Sequence, residues 1–233
     1  MNTVKVLSII PARAGSKEIA NKNIVDLYGK PLLVWSIEAS LNSKYISKTV
    51  VSSDGDTILK IAEEFGAETI KRPQNLAQDA SSSEAVIEHM LQTLGDDLDA
   101  FEYLILLQPT SPLRDHNDID NAFEMLLNSD ADALISVYEE DNKILKAFKE
   151  NSDGYIEGIA NNEYPFMPRQ ELPSVYMSNG AIYIIKISEF LKSKKLFCEK
   201  TIAYTMSKEK SLDIDTREDL EKAKLYMEST QYE

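Results

Sequence analysis

The chain has 233 residues, of which 43% are hydrophobic and 27% are charged, and its formal net charge is −14. These proportions are typical of a globular protein that is large enough to bury a full core. The negative charge argues against a nucleic-acid partner, because such binding requires a basic face that replaces phosphate counterions. The single cysteine, Cys198, excludes an internal disulfide and a thiolate metal site.

Apolar runs alternate with amphipathic segments over the first 140 residues, which predicts a layered α/β fold with a mainly parallel sheet. The predicted strands are residues 4–10, 49–52, 69–71, 103–107 and 133–138. A helix is predicted over residues 32–41, and apolar residues at i, i+3, i+4 and i+7 indicate helix faces that start at Ile58, Ile87 and Ile119. Ser81 and Glu84 have the spacing of a capping box at a helix start.

The alternation stops near residue 140. Residues 141–175 are polar, contain several glycines and prolines and carry no long periodic segment, so we predict an irregular excursion that packs on a partner. Strands at 180–187 and 202–205 and a helix at 218–227 are expected to follow. The prediction is one domain over residues 1–233. No apolar stretch approaches the length of a membrane span, so we expect a cytoplasmic protein without a membrane partner.

The loop after the first predicted strand combines small residues with long cations, in the run Pro11-Ala12-Arg13-Ala14-Gly15-Ser16-Lys17 and at Lys22. Small residues let backbone N–H groups approach an anion, and the cations supply charge, which favours a phosphate site. A solvated turn with scattered charges is the alternative. The chain has neither a Walker motif nor G-x-G-x-x-G after this strand, which argues against a P-loop kinase and a nicotinamide dehydrogenase.

Polar residues also follow three further predicted strands, namely Asp54, Arg72 and Gln108. Ligands of open parallel sheets bind beyond the carboxyl ends of the strands, so these residues are expected to meet in one cleft. Near the other end of the chain, Asp213 and Asp215 would point the same way in an extended segment. Such a pair suits Mg²⁺ together with phosphate oxygens, although a helix cap is an equal alternative.

Several blocks, in order from residue 10 to residue 215, resemble those of the acylneuraminate cytidylyltransferases, which activate nine-carbon 2-keto sugar acids. The blocks are residues 10–17, 22–23, 72–79, 82–89, 107–114, 179–183 and 213–215. The resemblance implies a three-layer Rossmann-like nucleotidyltransferase domain that forms a homodimer through the excursion at 141–175. It also implies the reaction of CTP with a nonulosonic acid, of the N-acetylneuraminic or legionaminic type, to give the CMP-sugar and pyrophosphate with Mg²⁺ as cofactor.

The same resemblance implies roles for individual residues. The nucleotide would be bound by Ala12, Arg13, Gly15, Ser16, Lys22, Asn23, Arg72 and Ser82. The sugar acid would be bound by Gln108, Arg169, Asn179, Tyr183 and Phe197, with Arg169 near its carboxylate. Asp213 and Asp215 would hold Mg²⁺, and Arg13, Lys22 and Asp215 would act in catalysis.

Two positions depart from the family pattern. Ala14 stands where the family usually has a second glycine, and Glu18 brings a negative charge close to the phosphate loop. Both changes would weaken nucleotide binding or leave the loop mobile before substrate binds. Alternatives to the implied reaction are a cytidylyltransferase for Kdo or pseudaminic acid, and a catalytically silent nucleotide-binding regulator.

Overall fold

The computed structural model describes residues 4–78 and 81–230. Its strands are β1 (Val6–Pro11), β2 (Asp26–Leu27), β3 (Lys30–Pro31), β4 (Ile46–Ser53), β5 (Glu68–Lys71), β6 (Tyr103–Leu106), β7 (Ala133–Glu140), β8 (Phe148–Glu150), β9 (Ile156–Gly158), β10 (Val175–Lys186) and β11 (Thr201–Thr205). Its helices are α1 (Leu32–Asn42), α2 (Asp56–Glu64), α3 (Ser83–Leu94), α4 (His116–Leu127), α5 (Ile187–Ser193) and α6 (Arg217–Thr230).

Seven of these strands form one central sheet in the order β11-β7-β10-β6-β1-β4-β5. Strand β10 runs antiparallel to its neighbours β6 and β7, whereas the other pairs in this sheet are parallel. The prediction of a mainly parallel α/β sheet is therefore confirmed.

Helices cover both faces of the sheet, which explains why β1 is apolar almost throughout. Val6 and Ile10 pack into a core cluster with residues of α1 and α4. Leu7 and Ile9 point the opposite way and pack with residues of α3 and α5. All four of these β1 side chains are fully buried. The chain thus forms the expected three layers of helix, sheet and helix.

Two predicted boundaries were wrong. The N-cap of α3 is Ser82 rather than Ser81, because the Ser82 hydroxyl accepts a hydrogen bond from the Ala85 N–H at 3.2 Å. The strand predicted at 180–187 begins earlier, at Val175, and Ile187 opens helix α5 instead. The first four residues of β10 are half-buried or exposed, so they lack the apolar run that indicates its buried second half.

Residues 141–175 form the predicted irregular excursion. It contains the small hairpin of β8 and β9 and short 3₁₀ turns at Asn142–Lys146, Tyr164–Phe166 and Arg169–Glu171. Large apolar side chains remain exposed on it, including Tyr155 at 72% and Phe166 at 81%. Within the described residues, no helix combines the length and apolar character that crossing a bilayer requires.

Candidate active site

A cavity of about 290 Å³ lies at the carboxyl ends of β1, β5 and β6. Most of the predicted nucleotide and metal residues line it, namely Arg13, Gly15, Ser16, Lys22, Asn23, Arg72, Ser82, Asp213 and Asp215. Gln108, which follows β6, lines it as well. Asp54, which follows β4, does not line this cavity; its carboxylate accepts a hydrogen bond from the Ala14 N–H at 2.8 Å. The polar residues after three strands therefore line one cleft, and the one after the fourth supports the loop that follows β1.

Two further hydrogen bonds hold the loop after β1. The Ala12 N–H donates to the Ser52 carbonyl at 2.9 Å, and the Asn23 side chain donates to the Arg13 carbonyl at 2.8 Å. Ala12 is fully buried and does not line the cavity, so its place is in the framework of the loop. Ala14 packs against Gly55, where an added Cβ would lie 2.9 Å from the Ala14 Cβ.

The guanidinium of Arg72 lines this cavity with hydrogen-bond donors that have no acceptor in the described part of the chain. The residue is 5% exposed, and its buried Nε and Nη2 atoms have no hydrogen-bond partner among the described residues. Burial lowers the pKa of Arg72, with nearby Asp54 opposing the shift and Arg13 adding to it. A buried cation with open donors favours an anionic ligand. The N-terminus of α3, at Ser82, faces the same space and adds positive potential there.

Lys22 connects this loop to the acidic pair near the end of the chain. Its Nζ donates to the Ile214 carbonyl and to Asp215 Oδ1, both at 2.9 Å. Ile214 is fully buried, and its N–H donates to the Thr110 carbonyl at 2.8 Å, which fixes the acidic segment. The carboxylate of Asp215 thus faces Lys22.

The cap of α6 is formed by neighbours of Asp215. The Asp219 N–H donates to the Thr216 hydroxyl at 3.2 Å, and the Thr216 N–H donates to the Asp219 carboxylate at 2.9 Å. The capping signal in the sequence therefore belongs to Thr216 and Asp219. The Asp215 side chain is not required for it.

Asp213 lines both this cavity and the one beside it and is an exposed residue, although its carboxyl lies close to Thr110. Loss of hydration raises the pKa of its carboxyl; a hydrogen bond from Thr110 opposes the shift, and the charge of Asp215 adds to it. No group of three His, Cys, Asp or Glu side chains among residues 4–78 and 81–230 could hold a metal ion by itself. Two carboxylates facing one cavity fit octahedral Mg²⁺, which completes its shell with water and phosphate oxygens.

A second cavity, of about 660 Å³, adjoins the first and shares Gln108 and Asp213 with it. Its other lining residues are Tyr138, Glu140, Ser178, Asn179, Gly180, Tyr183, Lys208, Ser211 and Leu212. This volume is typical of a small-molecule site. A ligand in each cavity would meet at the shared residues.

Asn179 lines the second cavity, and its side chain is held by the protein. It is 4% exposed, its Oδ1 accepts from the Ser136 hydroxyl at 2.6 Å and from the Ala181 N–H at 3.1 Å, and its Nδ2 donates to the Ser211 hydroxyl at 2.9 Å. Both ends of this amide are engaged within the protein. Asn179 therefore holds the irregular turn of β10 in place.

Gly180 and Arg114 position the side chain and backbone of Gln108. Gly180 has φ +74°, and an added Cβ would lie 2.4 Å from Gln108 Oε1. Arg114 is 1% exposed and donates to the Ala181 carbonyl at 3.3 Å and to the Gln108 carbonyl at 3.4 Å. Burial lowers the pKa of Arg114 to about 10. The role of Arg114 was missed in the sequence, where its motif was noted without a function.

The remaining predicted sugar-binding residues lie at different places. Tyr183 lines the second cavity and shares a hydrogen bond of 2.9 Å with Ser178. Arg169 lines a neighbouring cavity and forms an ion pair of 3.3 Å with Asp141. Phe197 is 64% exposed and lines a fourth, more apolar cavity, which Gln108 also lines. Asp79, part of the 72–79 block, lies outside the described residues.

Comparison with known proteins gives cytidylyltransferases among the sequence relatives. The chain is 37% identical over 219 residues to the N-acylneuraminate cytidylyltransferase of Escherichia coli, covering 94% of this chain and 51% of that protein. It is 32% identical over 223 residues to a pseudaminic acid cytidylyltransferase of Campylobacter jejuni, and this match covers 95% of this chain and 96% of that protein. The chain thus spans about half the length of the first relative and nearly all of the second.

A solved structure, titled as CMP:2-keto-3-deoxy-manno-octonic acid synthetase complexed with CTP, superposes with a TM-score of 0.71. The superposition covers 97% of this chain and 99% of the chain in that structure. The sequence identity is 16%, so the match supports the fold alone. The family model described as cytidylyltransferase matches residues 7–232. This chain belongs to the cytidylyltransferase family.

Proposed function

We propose that this protein transfers CMP from CTP to the anomeric hydroxyl of a nonulosonic acid and releases pyrophosphate. The observation that carries the proposal is the pair of adjoining cavities that share Gln108 and Asp213. One cavity has the cations of a phosphate site, and the other has the size and polar lining of a sugar site. The shared boundary is where a sugar hydroxyl would meet the α-phosphate.

The chain's own groups would bind the triphosphate before any chemistry occurs. Arg72 offers two open donors, and the small residues of the loop at 12–16 allow close approach to phosphate oxygens. Lys22 would donate to a non-bridging oxygen of the α-phosphate, where charge develops as pyrophosphate leaves. In the absence of ligand, Ile214 and Asp215 hold the Lys22 ammonium at this place.

Asp213 and Asp215 would hold Mg²⁺, which when bound supplies positive charge beside the phosphate oxygens. Only Asp213 of this pair lines both cavities. We therefore assign to Asp213 the hydrogen bond to the attacking hydroxyl and the acceptance of its proton. Asp215 keeps the predicted catalytic role through its contact with Lys22.

For the acid itself, the N-acetylneuraminic or legionaminic type is the first candidate, because the block at 179–183 and the 37% identity to an N-acylneuraminate enzyme favour it. Pseudaminic acid is the second candidate, since this chain covers 96% of a pseudaminic acid enzyme. Pyrophosphate release should be measured with CTP, Mg²⁺ and each acid separately, including Kdo. Release with one nonulosonic acid supports the proposal, whereas CTP binding without release for every acid would favour a silent regulator.

We further propose a homodimer through the excursion at 141–175. Tyr155, Ile156 and Phe166 are 72%, 69% and 81% exposed, and an apolar surface of this kind is typical of a protein interface. Light scattering should give twice the chain mass for the wild type and a lower mass for Phe166→Glu. A wild-type monomer at micromolar concentration would contradict the dimer.

A further inference from the structure

The second cavity is lined by more negative than positive side chains, which opposes the binding of an acidic substrate. Glu140 and Asp213 contribute two carboxylates, and among the described residues that line the cavity Lys208 is the cation. Its Nζ lies 3.1 Å from Glu140 Oε1 and 5.6 Å from the centre of the Tyr138 ring. Lys208 was not singled out in the sequence, because a lysine in a polar loop carries no motif.

A sugar acid would bring a third carboxylate into this space. Like charges at close range repel strongly where protein limits hydration, so binding requires a cation within contact distance. A lysine ammonium has three N–H donors, and its contact with Glu140 needs one of them. Lys208 can therefore keep its hydrogen bond to Glu140 and still donate to a carboxylate oxygen in the cavity.

Arg169 is a second basic residue near this region, and the resemblance assigned the carboxylate to it. It lies in the neighbouring cavity, which shares Glu140 and Lys208 with the second cavity. There its guanidinium is 3.3 Å from Asp141, and it does not line the cavity that adjoins the phosphate site. Lys208 is the better placed of the two.

Resting on the proposed function, we infer that Lys208 binds the carboxylate of the sugar acid, and that Glu140 is a positioning residue that holds Lys208 against Tyr138. The carboxylate is attached to the anomeric carbon, so this contact would also orient the attacking hydroxyl. Lys208 would then determine that the enzyme accepts 2-keto acids rather than neutral sugars.

The test compares the acid substrate with its methyl ester, which lacks the charge, in the wild type and in Lys208→Met. We expect Lys208→Met to raise KM for the acid by about 10- to 100-fold, the loss typical of a charged hydrogen bond, with KM for CTP unchanged. The wild-type preference for acid over ester should disappear in this variant. Lys208→Arg, which keeps the cation, should show the wild-type preference for the acid. Glu140→Ala should weaken this preference, because Lys208 then loses the partner that holds it.

Lys200→Met is the matched control, because Lys200 is similarly exposed and pairs with Asp130 at 3.2 Å. It should keep the wild-type preference. An unchanged preference for the acid in Lys208→Met, or its loss in Arg169→Met alone, would overturn the inference while leaving the proposed function intact. A wild type that turns over none of the acids would instead overturn the proposed function and this inference together.

Discussion

The Nζ of Lys22 lies 2.9 Å from Oδ1 of Asp215, although 193 residues separate them. The Lys22 side chain is 15% exposed, whereas that of Asp215 is 69% exposed. Ion pairs with such exposure contribute little to stability. Their value here is positional, because the contacts with Asp215 and the Ile214 carbonyl fix a cation in the lining of the first cavity.

Replacing Lys22 should therefore reduce turnover and leave the fold intact. We expect Lys22→Ala to lower kcat by about 10²–10³, the effect of losing one donor to a developing charge. Steady-state pyrophosphate release measures the change, and circular dichroism checks the fold. Lys60→Ala, at a lysine whose side chain is 79% exposed, is the control and should behave as the wild type. Turnover of Lys22→Ala within threefold of wild type would contradict the assignment.

Arg72→Met should weaken CTP binding by about 10- to 100-fold, since charged hydrogen bonds are lost with it. Its melting temperature should not fall, because the change removes a buried cation whose Nε and Nη2 lack protein partners. Isothermal titration with CTP and thermal unfolding of the free protein give the two values. Lys71→Met alters the neighbouring residue, which pairs with Asp56 at the surface, and should leave CTP affinity unchanged. Equal CTP affinity in Arg72→Met and wild type would refute this role.

Asp213→Asn should stabilise the free protein at neutral pH and abolish activity. The folded state raises the pKa of Asp213, so the ionised carboxylate costs stability above that pKa. The cost disappears as the pH falls below the ordinary pKa of the group, because the carboxyl is then protonated in both states. Thermal unfolding from pH 7 to pH 3 should show the advantage of Asp213→Asn shrinking with acid. A variant that is less stable than wild type at pH 7 would contradict the account.

Gly180→Ala should weaken binding of the sugar acid, because the added methyl group would displace the side chain of Gln108. Alanine at φ +74° costs about 1–3 kcal/mol, and its Cβ would lie 2.4 Å from Gln108 Oε1. Gly154→Ala is the matched control, since Gly154 has φ +80° but nothing within 4 Å of an added Cβ. Both variants should lose stability, and only Gly180→Ala should raise KM for the sugar acid. Equal KM values in the two variants would show that the Gln108 contact is unimportant.

The sequence was sufficient to predict the layers, most strands and the position of the loop after β1 in a cleft, because these depend on local periodicity and on the rule that ligands bind at the carboxyl ends of parallel strands. The binding of phosphate by this loop stays a prediction. The sequence also indicated Asp213 and Asp215, but it left open whether they form a metal site or a helix cap. The contacts between Thr216 and Asp219 show that these two residues cap α6 instead.

The sugar side of the cleft was less predictable. The irregular turn of β10 depends on the hydrogen bonds of Asn179 with Ser136 and Ser211, residues that are distant in the sequence. The contact of Lys208 with Glu140 is also long-range, spanning 68 residues. Periodicity carries no information on such pairs. The family motifs named Gln108, Asn179 and Tyr183, which line the second cavity, but they did not indicate Lys208.

The central claim is that CMP is transferred to a sugar acid, and ³¹P NMR of the reaction mixture tests it most directly. We expect the three CTP resonances to be replaced by one phosphodiester signal and one pyrophosphate signal, only when Mg²⁺ and a nonulosonic acid are both present. Hydrolysis of CTP without formation of a phosphodiester, or unchanged CTP with every acid, would contradict the account.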